Sequence, residues 1–213
     1  MLKQLNGILL SAVLAVATTA CTHPVEEVPN TPPGVVFLVG QSKDDAEEGA
    51  NGQMDLVNDD LDLGQASGFE SVVAVGIRFQ GIHIPKGSKI KSSFLQFTKD
   101  EPGTKDEPTH LTIRAELSGD AISFRDEPRN ISSRRLTKSA VNWSPMPWHP
   151  GDERGKRQQT PDLSTLIQEV IEQDEWKAGN AVALVVTGNG ERDAIAFDGG
   201  GSQNGPKLYL QTD

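Results

Sequence analysis

The sequence predicts an all-β, jelly-roll-like antiparallel sandwich with one short helix packed on it. Apolar and polar residues alternate in several short segments, which is the pattern of strands that bury one face. Turns rich in proline and glycine separate these segments, as at 83–87 and 100–103. One segment has apolar residues at helical spacing instead. Short strands with turns between them are typical of sandwiches and jelly rolls.

The alternation is clearest in residues 71–79, where Val75, Ile77 and Phe79 share one face, and we expect a half-buried strand there. Residues 111–117 alternate in the same way. The strands that this pattern predicts, in chain order, are 35–39, 71–79, 89–98, 111–117, 139–143, 182–187, 194–197 and 207–211.

The predicted helix begins after Thr160, which is expected to cap it, with Pro161 at the first helical position and Asp162 in the first turn. Apolar residues then recur at helical spacing and form a single stripe. The stripe consists of Leu163, Leu166, Ile167, Val170 and Ile171. Such a helix is expected to lie across one end of the sandwich and close its core.

Charge and cysteine content limit the possible functions. The net charge is -10, and the basic residues are dispersed apart from two short groups at 134–138 and 154–157. A nucleic acid needs a clustered basic face, so we expect no nucleic-acid partner. The two basic groups are interpreted as solvated loop charges, with a local patch as the alternative. Cys21 is the only cysteine, which excludes an intramolecular disulfide and a zinc-thiolate site.

The first twenty residues have the layout of an export signal. Lys3 precedes an apolar run at 8–17, and small residues follow at 18–20. The apolar run is too short to cross a hydrocarbon layer of about 30 Å, so residues 1–20 are interpreted as a signal peptide that is removed. An ordinary secretory signal cut near Ala20 is one possibility.

The other possibility depends on Cys21, because Thr19-Ala20-Cys21 resembles the lipobox of bacterial lipoproteins. That resemblance implies diacylation of Cys21 and a stable membrane anchor, and Thr22 in place of aspartate implies the outer membrane, on its periplasmic face or at the cell surface. Residues 21–34 then form a lipidated, proline-rich tether that holds the domain clear of the membrane. Residues 35–213 are expected to form one domain.

An ordered set of motifs runs through the predicted domain, and it includes Arg78-Phe79, Ile84-Pro85-Lys86-Gly87, Trp143, Thr160-Pro161-Asp162-Leu163, Trp176, Gly179-Asn180 and Pro206-Lys207-Leu208. Residues 71–211 thereby resemble extracellular β-jelly-roll modules of the DNRLRE, carbohydrate-binding type. The resemblance implies a non-catalytic module that in some members binds anionic or neutral polysaccharide. Such modules are usually attached to larger polypeptides, whereas this one is expected to stand alone on its anchor.

Acidic clusters suggest a bound cation. Asp44, Asp45, Glu47 and Glu48 lie in one short stretch, and Asp198 opens a glycine-rich turn. Calcium takes six to eight oxygen ligands, which such loops supply, so a structural Ca²⁺ held by some of these five residues is expected, against the alternative of a solvated acidic loop. A further acidic group, Asp59, Asp60 and Asp62, is a weaker candidate.

Trp143 and Trp148 bracket a rigid, proline-containing segment and are the candidate ligand-binding residues. Exposed on a stiff loop, they would stack on sugar rings. Burial in the core is the alternative. No Gly-x-Ser-x-Gly motif is present and the four histidines are scattered, so no catalytic residue is assigned.

The sequence therefore predicts a lipid-anchored, non-catalytic module that binds carbohydrate outside the cytoplasm. A structural or adhesion lipoprotein that contacts a surface protein is the first alternative. A polysaccharide-cleaving enzyme, which would need two carboxylates facing across a cleft, is the second.

Overall fold

The structure, a computed structural model, describes residues 34–64, 72–100, 106–151 and 153–213. The predicted signal peptide, Cys21 and most of the tether lie outside these residues. The elements in chain order are β1 (Val35–Leu38), β2 (Asp45–Gly49), β3 (Met54–Asp55), β4 (Asp60–Asp62), β5 (Val72–Phe79), β6 (Ile90–Gln96), β7 (His110–Ala115), β8 (Val141–Trp143), α1 (Ser164–Ile171), β9 (Val182–Asn189), β10 (Asp193–Ile195), α2 (Phe197–Asn204) and β11 (Lys207–Thr212).

The strands form three antiparallel sheets, which confirms the predicted all-β sandwich. The largest has six strands in the order β3-β2-β5-β9-β7-β8. The second has the order β1-β11-β6, and the third pairs β10 with β4. None of the helices among the described residues is long and apolar enough to cross a membrane.

The main core lies between the six-stranded and three-stranded sheets and includes the apolar stripe of α1. Burial of large side chains there is the main stabilising term, at about 25 cal/mol per Å² of apolar surface. Phe79, Phe97, Ile77 and Leu95 are fully buried in it.

A second apolar cluster covers the opposite face of the six-stranded sheet. Phe124 and Ile131 from the connection between β7 and β8 pack there against Ala74 and Ala183. Strand β5 is therefore buried on both faces, whereas the sequence predicted a half-buried strand. The alanine and glycine residues of β5 leave room for the segment that covers it. A pattern of alternation in the sequence does not reveal such a covering segment.

Two features of the helices differ from the prediction. Helix α1 begins at Ser164, because Thr160 and Leu163 run alongside β6 and their amides donate to Leu95 O (3.0 Å) and Ser93 O (2.7 Å). A second helical segment, α2, spans the predicted glycine-rich turn and is interrupted at Gly201, whose φ is 63°.

Candidate functional site

The acidic stretch that was predicted to bind calcium consists of Asp44, directly before β2, and of three acids within β2, and all four are buried. Alternation along the strand separates them. Asp45 and Glu47 lie opposite Ile77 and Val75, which belong to the main core. Glu48 lies opposite Ala74, on the side of the second cluster. The acids therefore do not converge on one point.

Asp44 and Glu48 hold other parts of the fold. Asp44 accepts hydrogen bonds from Arg78 Nη1 and Gln80 Nε2, each at 2.5 Å. Glu48 accepts bonds from Ile131 N (3.0 Å), Ser132 N (2.7 Å) and Ser132 Oγ (2.5 Å). These partners satisfy the buried charges, which explains how acidic residues occupy interior positions. The oxygens of Asp44 and Glu48 are thus used within the fold, and calcium binding by this stretch stays a prediction.

Asp45 faces the beginning of α2. The amide of Phe197 donates to its Oδ2 at 2.8 Å, while Asp198 accepts a bond from Ser42 Oγ at 2.8 Å. Burial, and then the negative charges of Asp198 and Asp44, raise the pKa of Asp45 to about 7. Asp198 is thus close enough to repel Asp45, but the two do not form an oxygen cluster with a third acid among the described residues.

Glu47 lies beside β4, as Asp45 lies beside α2. Its Oε1 accepts a bond from the amide of Asp62 at 2.5 Å, and its Oε2 accepts one from Asn58 Nδ2 at 3.0 Å. Burial, and then the charges of Asp62 and Asp60, raise the pKa of Glu47 to about 7. Near neutral pH the Glu47 side chain is therefore present in both its protonated and its ionised form.

Glu47 also lines an open cleft of about 670 Å³ along the outer part of β2 and β3. Among the described residues, the lining combines carboxylates, side-chain amides and a few small apolar groups, and it contains no lysine or arginine. The lining residues are Glu47, Gly49, Ala50, Asn51, Gln53, Met54, Asp55, Asn58, Asp62 and Val72. A volume of several hundred Å³ is the usual size of a small-ligand site.

A different acidic group lies next to this cleft and shares Asp62 with it. Oxygens of Asp62, Glu191 and Asp193 lie within 4.8 Å of one another, an arrangement that could hold a cation. Antiparallel pairing of β4 with β10 sets Asp62 opposite Asp193. Asp62 was predicted only as a weaker candidate, and Glu191 and Asp193 were not predicted, because pairing between distant short strands creates this group.

Arg192 lies between two members of this acidic group in the chain, and its guanidinium is buried. It donates to the carbonyl oxygens of Met146, Pro145 and Glu107 at 3.1–3.2 Å and of Glu191 at 2.5 Å. Asp60, close by, has its pKa raised by burial and by the charges of Asp100, Asp59 and Asp193. Several carboxylates therefore repel one another near this acidic group.

Trp143 and Trp148, the predicted sugar platform, are buried, with 6 % and 2 % of their surface exposed. Both rings pack on Phe97, with centroids 5.8 and 6.4 Å away, and Trp148 Nε1 donates to Arg157 O at 2.9 Å. Their faces are used for core packing and are closed to a ligand. Trp143 points inward because it lies on β8 opposite Leu111 of β7, a core position.

No protein-family model matches the chain, and a search of curated proteins also finds no match.

Proposed function

We propose that this protein is a lipid-anchored, non-catalytic binding module, exported to the outer membrane, whose cleft beside β2 binds a neutral polysaccharide. The composition of the cleft supports this most directly. Asn51, Gln53 and Asn58 provide amides that both donate and accept, and Asp55 and Asp62 accept from hydroxyl groups. Sugars present closely spaced hydroxyls that match such a lining.

The charge of the cleft favours a neutral ligand over an anionic one. Its described lining has three acidic side chains and no basic one, so a carboxylated or sulfated sugar would be repelled. Ala50, Met54 and Val72 add apolar surface against which the C–H faces of sugar rings can pack. With Trp143 and Trp148 buried, this cleft replaces them as the proposed carbohydrate site.

Calorimetric titration of the purified protein with a panel of neutral and anionic soluble polysaccharides tests the proposal. We expect binding of at least one neutral polymer, and weakening of about tenfold in Gln53→Ala, since one or two hydrogen bonds are lost. Gln203→Ala changes an exposed glutamine outside the lining and serves as the matched control. Binding that is equal in both variants would place the ligand elsewhere.

A polysaccharide-cleaving enzyme is the second candidate, because Glu47, with its pKa raised to about 7, shares the cleft with Asp55 and Asp62. A carboxylic acid that stays protonated near neutral pH is what acid catalysis of glycoside cleavage requires. Release of reducing ends from a bound polysaccharide, abolished in Glu47→Gln, would establish catalysis. Binding without release supports the non-catalytic module.

A structural or adhesion lipoprotein that contacts a protein remains the alternative if no polysaccharide binds. Val57, next to the cleft residues Asp55 and Asn58, is 71 % exposed, and Met146 is 58 % exposed. Such side chains suit a protein interface. Crosslinking at Val57 in whole cells, with capture of one defined surface protein, would favour this alternative.

A further inference from the structure

The three-stranded sheet has an outward face that combines aromatic and aliphatic side chains. Pairing across β1, β11 and β6 sets Val36, Tyr209 and Phe94 in one row. The rings of Phe94 and Tyr209 stack, with centroids 4.7 Å apart and planes 11° apart. Leu208 and Leu210, the chain neighbours of Tyr209, point into the core. The row therefore lies on the side of the sheet away from the main core.

The row ends at the edge of the sheet with Val36, which is 41 % exposed. Val35, the other exposed valine of β1 at 59 %, lies opposite Leu210 and so projects from the other face of the sheet. Strand β1 contains no charged residue, although charges commonly protect the edge strand of a sheet. An exposed apolar edge beside a stacked aromatic pair indicates a contact surface.

Two cations flank the aromatic row. Lys207 lies two residues before Tyr209 on β11 and so projects from the same face. Arg154 lies beside it and donates to Thr98 Oγ1 (2.8 Å) and Asn204 Oδ1 (3.2 Å). Partial burial, and then the charge of Arg154, lower the pKa of Lys207.

These two positive charges have no acidic partner among the residues that the structure describes. Neither Arg154 nor Lys207 forms an ion pair with a described carboxylate, although the chain has thirty acidic residues and a net charge of -10. Like charges set side by side without a counter-ion favour an anionic partner.

The position of β1 relates this face to the proposed lipid anchor. The chain enters the sheet at Val35, and the stretch from Cys21 to Val35 spans at most about 50 Å when extended. An acyl chain on Cys21 would therefore keep this sheet within reach of the bilayer surface. Binding of this sheet to the bilayer would bring the domain onto the membrane surface. The tether, in contrast, is expected to hold the domain clear of that surface.

We propose that the outward face of the β1-β11-β6 sheet docks on a bilayer surface that contains anionic phospholipid. Lys207 and Arg154 contact lipid phosphates, and Tyr209, Phe94 and Val36 lie at the level of the headgroups. Tyrosine suits that level because its ring is apolar and its hydroxyl is polar. This inference uses the anchor of the proposed function but not its polysaccharide cleft.

Vesicle co-sedimentation tests the inference without the acyl chain. Residues 32–213 form one compact unit, so a chain that begins at Thr22 retains the complete domain, which circular dichroism verifies. We expect it to bind vesicles of phosphatidylcholine with about one third phosphatidylglycerol, and to be released by salt. Vesicles of phosphatidylcholine alone should bind far less.

Variants identify the face. Lys207→Gln should weaken vesicle binding about fivefold, and Lys207→Glu about 25-fold, since each unit of charge near an anionic membrane changes binding about fivefold. Tyr209→Ser should weaken it as well. Lys177→Gln and Lys177→Glu, at an exposed lysine outside this sheet, are the matched controls and should bind as the unmodified chain does.

Three outcomes would overturn the inference. One is equal binding to both kinds of vesicle, and another is binding that Lys207→Glu leaves unchanged. The third is that the chain does not bind vesicles but instead self-associates or binds an anionic polysaccharide, and that Lys207→Glu weakens this association. Titration of the cleft with neutral polysaccharide is a separate measurement. Its result and the vesicle result therefore test the two proposals independently.

Discussion

The ring of Phe124 lies directly over Gly76, so close that a Cβ added to the glycine would be 2.6 Å from Cε1 of the ring. Gly76 is in the middle of β5, and Phe124 comes from the long connection between β7 and β8. The guanidinium of Arg134 also packs on this ring, with its Cζ 4.3 Å from the ring centroid. This contact fastens the long connection to the six-stranded sheet.

Gly76→Ala should therefore destabilise the protein. The ring must move to admit a methyl group, which costs about 1–3 kcal/mol in an interior this well filled. Urea unfolding measures the loss. Gly40→Ala is the control, because the nearest atoms to its added Cβ are 3.7 Å away. Equal stability of the two variants would show that Phe124 does not pack on β5.

Breaking the buried pair between Asp44 and Arg78 should cost about 3–5 kcal/mol, because the remaining charge is left in the interior without its partner. Arg78→Met and Asp44→Leu are each expected to show this loss in chemical unfolding. The double variant should recover much of it. A single-variant loss below about 1 kcal/mol, the value for an exposed pair, would contradict the burial of these groups.

Stability should fall as the pH rises from about 4 to 8, because the raised pKa values of Asp45 and Glu47 mean that the folded protein binds protons more tightly than the unfolded chain. Each unit of pKa difference contributes about 1.4 kcal/mol, fully present below the unfolded pKa and lost above the folded pKa. Unfolding free energies measured across this range test the sign.

Asp45→Asn and Glu47→Gln should flatten this dependence, since each keeps an oxygen for the amide of Phe197 or Asp62 and removes the titration. Asp126→Asn, at an exposed position, is the control. A pH profile that stays unchanged in both variants would show that other groups cause the slope.

Calcium should raise the midpoint of thermal unfolding if Asp62, Glu191 and Asp193 bind it, through mass action on the folded state. Asp193→Asn should remove most of this shift, since one ligand charge is lost. A chelator should return the midpoint to its starting value. Equal shifts in Asp193→Asn and Asp126→Asn would indicate nonspecific screening of the acidic surface.

Acylation at Cys21 should place the full-length protein in the detergent phase of a phase-separation experiment, and intact mass should show the added acyl chains. Cys21→Ser should move it to the aqueous phase with a lower mass. An unmodified thiol on a chain that begins near residue 21 would instead identify an ordinary secretory signal.

The strands that alternate clearly were predictable from the sequence, because alternation follows from burial of one face. The observed β1, β5, β6, β7, β8, β9, β10 and β11 each overlap a predicted strand. Strands β2, β3 and β4 were missed, since their acidic residues indicate solvent exposure. Their partners, such as Arg78 for Asp44 and Ser132 for Glu48, lie far away in the sequence.

The candidate site was predictable only in its chemistry. Acidic residues near 44–48 and 59–62 were recognised as important, but the cleft needs the folding of β2, β3 and β4 against one another. The two tryptophans were candidates for a surface platform because the prolines between them suggested an exposed tip, and burial in the core was the other interpretation. Phe97, which directly follows β6, packs on both rings. The local sequence around the tryptophans does not show that Phe97 lies there.

The pairing of β1 with β11 joins the first described strand to the last. Because β11 lies between β1 and β6, neither of those strands can complete its sheet until the final residues of the domain have been synthesised. The amino-terminal part of a nascent chain emerges from the ribosome first, so the three-stranded sheet stays incomplete until the end of synthesis. This order of assembly delays completion of the three-stranded sheet until the whole domain is available, and termination before Lys207 would leave β1 and β6 without the strand that joins them.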